Sequence, residues 1–342
     1  MSIVIILLAT LGLAYANGSN DNFKGVATLF GSGTTHYRKA LGWATITTFL
    51  GSIIAVFLAE TLLKSFSGKG LVSPELAATA EYGAAVAFGA GLTVLLATRI
   101  GMPVSTTHSL VGALVGAGWM ADSAIEFEEL GSGFVIPLLV SPVLAFLVTA
   151  WMYPLFSWCR RKVGIRSEGE AKTKYVGQIA GLEAGPLLNR MHFLSAGAVS
   201  FARGLNDTPK IAALFLLTGS ISQFTSTALV GLVIAVGGVI SARRVAETMS
   251  KKITEMNHGQ GFTANLTTSV IVIFASRLGL PVSTTHVSCG SLFGIGTVTR
   301  QAQWKVIRRI LGSWLITLPI GALLGAIAYL LVTSPVLNRA WG

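Results

Sequence analysis

Charged residues are scarce in this chain of 342 residues. Asp, Glu, Lys and Arg fill 11% of the positions, against about 25% in an ordinary soluble domain. Hydrophobic residues fill 52% and the mean hydropathy is +0.69, which argues against a soluble globular protein. Cysteine is rarer still, because Cys159 and Cys289 are the only two and neither lies in a Cys-x-x-Cys motif or at metal spacing from histidine. The sequence therefore predicts no disulfide framework, no structural metal and no cofactor.

Long apolar segments fill most of the chain. Each approaches the ~20 residues that cross a bilayer as a helix, and two of them are interrupted by polar residues, near 17–22 and near 203–209. The sequence predicts an all-α polytopic membrane protein with roughly 10–12 transmembrane or re-entrant helices. The candidate segments are 2–32, 40–63, 76–98, 103–119, 132–157, 187–218, 226–242, 261–278, 281–299 and 310–333.

Basic residues lie in the short loops between these segments, and they give the chain a net charge of +11. A nucleic-acid surface would need a basic face on a folded domain, whereas basic cytoplasmic loops are typical of membrane proteins. We therefore expect a multi-pass protein of the cell membrane, surrounded by lipid and without a nucleic-acid partner. A homo-oligomer is compatible with the sequence, which does not specify one.

Two motifs occur twice, in the same order. Residues 99–118 and 277–296 are identical at twelve of twenty positions, including the whole of Pro-Val-Ser-Thr-Thr-His, and 17–25 and 203–211 share Gly-x-Asn-Asp-x-x-Lys. A duplicated unit explains this order. It predicts a first repeat at 1–158, a polar linker at 159–186 and a second repeat at 187–342.

Equivalent loops of the two repeats differ in charge. After the Pro-Val-Ser-Thr-Thr-His segment the first repeat has an acidic loop, with Asp122 and Glu126, whereas the second has a basic one, with Arg308 and Arg309. Since basic loops are cytoplasmic, the repeats are predicted to have inverted topology. The linker would then lie in the cytoplasm and both termini outside.

The Pro-Val-Ser-Thr-Thr-His segments predict helices that begin inside the membrane. Proline fits the first helical position, and a neighbouring Ser or Thr can cap the helix. Exposed backbone N–H groups, the positive end of the helix dipole and three hydroxyls suit an oxyanion. A single such run often only packs helices, but two broken helices at the midplane favour a transport site. The hydroxyls belong to Ser105, Thr106, Thr107, Ser283, Thr284 and Thr285.

The Asn-Asp motifs place carboxylates within apolar segments, where a charge needs a partner, a cation or a water-filled cavity. One interpretation is a structural ion pair, because Lys24 and Lys210 follow Asp21 and Asp207 by three residues. Under the other, the lysines balance a multivalent anion or take a cation's place. Oxygen ligands for a coupling cation would then come from Asn20, Asp21, Asn206 and Asp207.

Histidines end the two Pro-Val-Ser-Thr-Thr-His motifs. At neutral pH a histidine there can donate to an anion or carry a proton. It can equally pack as a neutral ring bonded to the backbone. Both interpretations apply to His108 and His286.

In these four motifs the sequence resembles the inorganic phosphate transporter family, in which each inverted repeat carries an Asn-Asp signature and a Pro-Val-Ser-Thr-Thr-His signature. The resemblance implies a secondary transporter that moves inorganic phosphate with sodium or protons. It places phosphate contacts on the six hydroxyls and cation contacts on the two Asn-Asp pairs. This sequence departs from the family at Lys24, where the first signature usually has Asn, so the coupling ion stays open between sodium and proton.

We therefore predict phosphate import by cation symport, with alternating access around an oxyanion site at the midplane. A sulfate permease of the same fold is the alternative, and arsenate is a further candidate substrate. An intramembrane Ser-His-Asp hydrolase is disfavoured because each residue occurs as a duplicate pair, whereas catalysis needs one asymmetric set. A passive anion channel has no evident use for two buried aspartates.

Overall fold

Helices account for nearly all of the structure, a computed structural model that describes residues 2–68, 70–168, 174–216 and 221–334. The first half of the chain contains α1 (Ser2–Asp21), α2 (Ala27–Gly31), α3 (Tyr37–Leu58), α4 (Glu60–Ser65), α5 (Pro74–Ala77), α6 (Ala80–Arg99), α7 (Thr106–Met120) and α8 (Ile136–Lys162). The second half contains α9 (Ala184–Leu216), α10 (Gln223–Ser241), α11 (Arg243–Glu247), α12 (His258–Arg277), α13 (Thr284–Thr299) and α14 (Trp304–Thr333). The prediction of an all-helical membrane protein is confirmed.

The region between α8 and α9 contains two short antiparallel hairpins. In the first, β1 (Arg166–Glu168) pairs with β2 (Lys174–Val176), and in the second, β3 (Gln178–Ile179) pairs with β4 (Leu182–Glu183). Helix α8 runs to Lys162 and α9 begins at Ala184, so the non-helical part of the predicted linker is shorter than 159–186.

Six stretches of the described chain are long and apolar enough to cross a membrane. Helices α7 and α13 are not among them because they have only 15 and 16 residues, as expected for helices that begin within the membrane. The six stretches are Ile3–Gly31, Tyr37–Leu58, Ala80–Arg99, Glu129–Lys162, Gln223–Ser241 and Trp304–Val332.

Polar and apolar side chains are distributed as in a protein surrounded by lipid. Large apolar residues such as Leu8 and Leu315 are exposed on the outer faces of the helices, whereas Asn17, Asp21 and Lys24 are buried inside the bundle. Because lipid offers no hydrogen bonds, polar side chains are stable only where they face one another inside the bundle.

The helices of each repeat pack mainly on helices of the other repeat. Helix α1 packs on α10 and α9 packs on α3, while α7 packs on α14 and α13 packs on α8. The duplicated motifs make α1 equivalent to α9 and α7 equivalent to α13, and chain order then makes α3 equivalent to α10 and α8 to α14. Each contact is therefore matched by a second contact between the equivalent helices. The two halves therefore form one intertwined bundle.

The two Asn-Asp segments differ in their backbone. In the first repeat α1 ends at Asp21, and a short 3-10 turn at Lys24–Val26 leads into α2. In the second, α9 continues without interruption from Ala184 to Leu216, with Pro209 inside it. The predicted break near 203–209 is wrong. Proline removes one hydrogen bond of the helix, but the turns on either side of Pro209 keep their helical form.

Serine caps both of the helices that start in the membrane. The Ser105 hydroxyl accepts a hydrogen bond from the backbone N–H of His108 at 3.1 Å, and the Ser283 hydroxyl accepts one from His286 at 3.2 Å. The predicted capping is confirmed. Proline does not occupy the first helical position, because Pro103 and Pro281 lie two residues before these caps.

Candidate functional site

The four motifs come together in one buried polar cluster. Every side chain predicted from the sequence to act in transport is buried there. The cluster contains Asn20, Asp21, Lys24, Ser105, Thr106, Thr107, His108, Asn206, Asp207, Lys210, Ser283, Thr284, Thr285 and His286.

Lys24 contacts both repeats. Its ammonium donates to the Asn20 Oδ1 atom at 2.7 Å and to the Val104 carbonyl at 2.9 Å, and it forms an ion pair with Asp21. From the second repeat, the Thr285 hydroxyl lies 2.7 Å from the same ammonium. Four oxygen acceptors thus surround the charge, which satisfies a buried ammonium.

Lys210 repeats this arrangement from the second half. Its ammonium donates to the Asn206 side chain, to the Val282 carbonyl at 2.7 Å and to the Thr107 hydroxyl of the first repeat at 2.9 Å. Asp207 is more distant, because its Oδ1 atom lies 3.9 Å from the ammonium. The structural ion pair expected for both lysines is therefore close in the first repeat and loose in the second.

The central threonine of each motif holds the aspartate of its own repeat. The Thr106 hydroxyl donates to Asp21 Oδ2 at 3.0 Å, and the Thr284 hydroxyl donates to Asp207 Oδ2 at 3.2 Å. These hydrogen bonds join the start of α7 to α1 and the start of α13 to α9. Each aspartate is therefore bonded directly to the start of a helix.

The two histidines meet between the helix starts. Their ring centroids lie 4.2 Å apart, and the His286 ring stacks on Trp314 with a centroid distance of 3.7 Å. The His108 Nδ1 atom lies 3.1 Å from the Ser105 hydroxyl. The contact between His108 and His286 brings the first turns of α7 and α13 together.

Four further side chains belong to the cluster and were missed in the sequence. Asn20 Nδ2 donates to the Thr98 hydroxyl at 2.8 Å, and Asn206 Nδ2 donates to the Ser276 hydroxyl at 2.9 Å. The other two are Asn17 and Arg203. Each motif alignment already contained the signal, because Thr98 and Ser276, like Asn17 and Arg203, occupy equivalent repeat positions.

Asn17 and Arg203 break the symmetry of the cluster. Asn17 Nδ2 donates to Asp21 Oδ2 at 2.9 Å and to Thr106 Oγ1 at 3.0 Å. Arg203 is 1% exposed, and its Nη2 atom lies 3.4 Å from Asp207 Oδ2 and 3.5 Å from Asn17 Oδ1. Its Nε and Nη1 atoms have no hydrogen-bond partner among the described residues. Two guanidinium nitrogens are therefore free for another acceptor.

The cluster carries an excess of positive charge. Lys24, Lys210 and Arg203 contribute three positive charges, and Asp21 and Asp207 contribute two negative ones. A buried excess charge is costly unless a counter-ion binds, so the arrangement suits an anion. No group of three or more His, Cys, Asp or Glu side chains in the described part of the chain is arranged to hold a metal ion.

The chain is similar to known proteins over nearly its whole length. Residues 17–325 match the Phosphate transporter family. The chain is 29% identical to a Bacillus subtilis protein named "Probable low-affinity inorganic phosphate transporter", over 96% of each chain. A Mycobacterium tuberculosis protein of the same name is 27% identical and is matched over 96% of this chain and 77% of its own length.

A solved structure has the same fold. It is titled "The sodium-dependent phosphate transporter", is 24% identical and superimposes with a TM-score of 0.81 over 97% of this chain and 98% of that chain. The fold and the match across all four motifs lead to one assignment. The chain belongs to the phosphate transporter family, and it is a multi-pass membrane transporter rather than an enzyme.

Proposed function

We propose that this protein imports inorganic phosphate across the cell membrane by symport with a cation, and that its two repeats alternate access to a site at the midplane. The observation that carries the proposal is the exchange of contacts between repeats: Lys24 bonds to Thr285 and Lys210 to Thr107. Rocking one repeat against the other would break and remake these contacts. Reciprocal helix packing supports the same mechanism.

The anion site lies at the starts of α7 and α13. Two helix N-termini and a net positive charge favour an oxyanion there. Several of the hydroxyls contact aspartate or lysine of the cluster, so phosphate binding would exchange these partners for phosphate oxygens. The proposed phosphate contacts are Ser105, Thr106, Thr107, Ser283, Thr284 and Thr285.

Phosphate suits this site better than sulfate. At neutral pH phosphate keeps a proton that it can donate, whereas sulfate has only acceptors. Asp207 Oδ1 lies 3.9 Å from the Lys210 ammonium, which is beyond hydrogen-bond distance. A carboxylate oxygen that can still accept a hydrogen bond would bind the protonated oxygen of phosphate. The same oxygen would repel sulfate, which has no proton to donate.

Coupling is assigned to the two Asn-Asp pairs, Asn20 with Asp21 and Asn206 with Asp207. Around Lys24, the oxygen atoms that a sodium ion would use already accept hydrogen bonds from the ammonium. A proton needs no vacant coordination site, because it can add to a carboxylate or leave an ammonium. These contacts favour the proton as the coupling ion.

Radiolabelled phosphate uptake into proteoliposomes of the purified protein tests the proposal. A proton gradient or a sodium gradient is imposed in separate samples, with unlabelled arsenate or sulfate in excess. We expect accumulation above the outside concentration, driven by the proton gradient, inhibited by arsenate and indifferent to sulfate. Accumulation driven by sodium alone would contradict the choice of ion, and accumulation of labelled sulfate in place of phosphate would contradict the choice of anion.

Uptake that only equilibrates the two sides would indicate a passive channel and refute symport.

The predicted orientation of the chain has its own test, because Cys159 is exposed near the end of α8 and Cys289 is buried. A thiol reagent that does not cross the membrane should label Cys159 from the cytoplasmic side only. Labelling from outside would reverse the predicted orientation of the linker and of both termini.

A further inference from the structure

A cavity lies away from the polar cluster, where the end of α8 meets the two hairpins and the first turns of α9 and α12. Its volume is about 400 Å³, within the range of small-molecule sites. The lining is almost entirely apolar. It includes Phe156, Ile165, Ile179, Leu188, Met191 and Phe262.

The cavity lies at the membrane surface. The apolar stretch that contains α8 ends at Lys162, so the last turn of α8 marks the boundary between lipid and water. Trp158 is exposed there, and the Lys162 ammonium lies 5.7 Å from the centroid of its ring. Aromatic and basic residues together are typical of the interface. Val163 and Met191, which line the cavity, are themselves exposed, so the cavity wall continues into the outer surface of the protein at this boundary.

One polar group in the cavity wall lacks a partner. The Arg160 Nη2 atom donates to the Ser157 hydroxyl at 3.3 Å, and the guanidinium lies 4.8 Å from the centroid of the Tyr175 ring. The Nη1 atom is buried and has no hydrogen-bond partner among the described residues. A buried donor on a charged group costs free energy unless an acceptor reaches it. The cavity beside Arg160 is the place from which an acceptor can come.

The elements around the cavity are also basic. Between Arg160 and Arg190, the described residues carry six positive side chains and two negative ones, Glu168 and Glu183. Such a cluster at the end of a membrane span attracts anionic headgroups. The six are Arg160, Arg161, Lys162, Arg166, Lys174 and Arg190.

We propose that this cavity binds one anionic phospholipid, with an acyl chain among the apolar side chains and the phosphodiester accepting a hydrogen bond from Arg160 Nη1. A free phosphate ion would find a single donor and an apolar wall, which cannot replace its hydration. A zwitterionic lipid fills the same space but also brings a positive group close to Arg160 and its basic neighbours. The site is independent of the transport proposal, because none of its lining residues belongs to the polar cluster.

Native mass spectrometry of the detergent-purified protein tests this site. Phosphatidylglycerol and phosphatidylcholine with the same acyl chains are titrated separately. We expect one phosphatidylglycerol to bind about tenfold more tightly than phosphatidylcholine, and excess inorganic phosphate not to displace it. Equal affinity for the two lipids, or displacement by inorganic phosphate, would refute the proposed occupant.

Matched variants locate the interaction. Arg160→Gln should abolish the preference for phosphatidylglycerol, whereas Arg161→Gln, the same charge change one residue away, should keep it. Arg160→Lys should restore part of it, and Leu188→Trp, which fills the cavity, should weaken the binding of both lipids. Equal losses in Arg160→Gln and Arg161→Gln would show a diffuse charge effect and overturn the site. Because lipid binding is measured directly, the result stands whether or not phosphate transport is impaired.

Discussion

Replacing Arg203 with Gln tests whether the excess charge of the polar cluster serves the transported anion. Arg203 is fully buried, two of its nitrogens lack partners among the described residues, and its contacts to Asp207 and Asn17 are long, at 3.4 and 3.5 Å. A charge-assisted hydrogen bond contributes about 1.5–3 kcal/mol. At 1.4 kcal/mol per factor of ten, the loss of one such bond raises the KM for phosphate roughly ten- to a hundredfold.

The thermal stability of Arg203→Gln should not fall with its affinity for phosphate. In the absence of phosphate, Arg203 is a buried charge with incomplete pairing, so its removal should leave the melting temperature unchanged or raise it. The assay combines the KM of radiolabelled phosphate uptake with melting temperatures measured with and without phosphate. Arg308→Gln, at an exposed position, is the control, and Arg203→Lys should recover part of the affinity. A folded Arg203→Gln protein whose KM stays within twofold of the wild type would refute the reasoning.

Four other substitutions have defined outcomes. Asp21→Asn and Asp207→Asn should each remove gradient-driven accumulation of phosphate while the protein still folds. The control, Glu247→Gln at an exposed position, should keep this accumulation. Accumulation that persisted in either aspartate variant under the same gradients would contradict the coupling role. Thr285→Val removes a hydroxyl that contacts Lys24 at 2.7 Å and should cost about 1–3 kcal/mol of stability. Thr267→Val should be neutral, because the Thr267 hydroxyl has no partner among the described residues. Equal melting temperatures for these two variants would disprove the contact between Thr285 and Lys24. Gly18→Ala places a methyl group against the Ile234 carbonyl, whereas the methyl group of Gly12→Ala would enter open space. Only Gly18→Ala should therefore lower the melting temperature, because overpacking costs about 1–3 kcal/mol of stability.

The sequence predicted the helical fold and the meeting of the four motifs because both depend on signals within the chain. Hydropathy marks the spans, and the duplicated motifs mark equivalent positions in two related units. The contacts of Lys24 and Lys210 with threonines of the opposite repeat were not predictable. They join residues more than 100 positions apart, and only the docking of the Lys24–Val26 turn against α13 and of α9 against α7 determines them.

The backbone of the Asn-Asp segments shows a second limit. Local rules place a break at Pro209, yet α9 is continuous there, and the break occurs in the copy without proline. Tertiary packing accompanies the break, because Gly25, within the 3-10 turn that follows α1, lies directly against the backbone of Ser200 in α9. A side chain at Gly25 would collide with that helix. Local propensity could not reveal this contact, since it joins two repeats.

Reciprocal packing means that each repeat buries much of its helix surface against the other repeat. Two identical copies of the first repeat, associated through the same α1 with α3 and α7 with α8 contacts, could supply the whole framework of the bundle. Such a pair would have two Asn17 side chains and equal charges on both sides of its centre. Placing Arg203 opposite Asn17, and a continuous helix opposite a broken one, requires two sequences that vary independently. Fusion into one chain thus makes the two sides of the centre different from each other, which an assembly of identical halves cannot do.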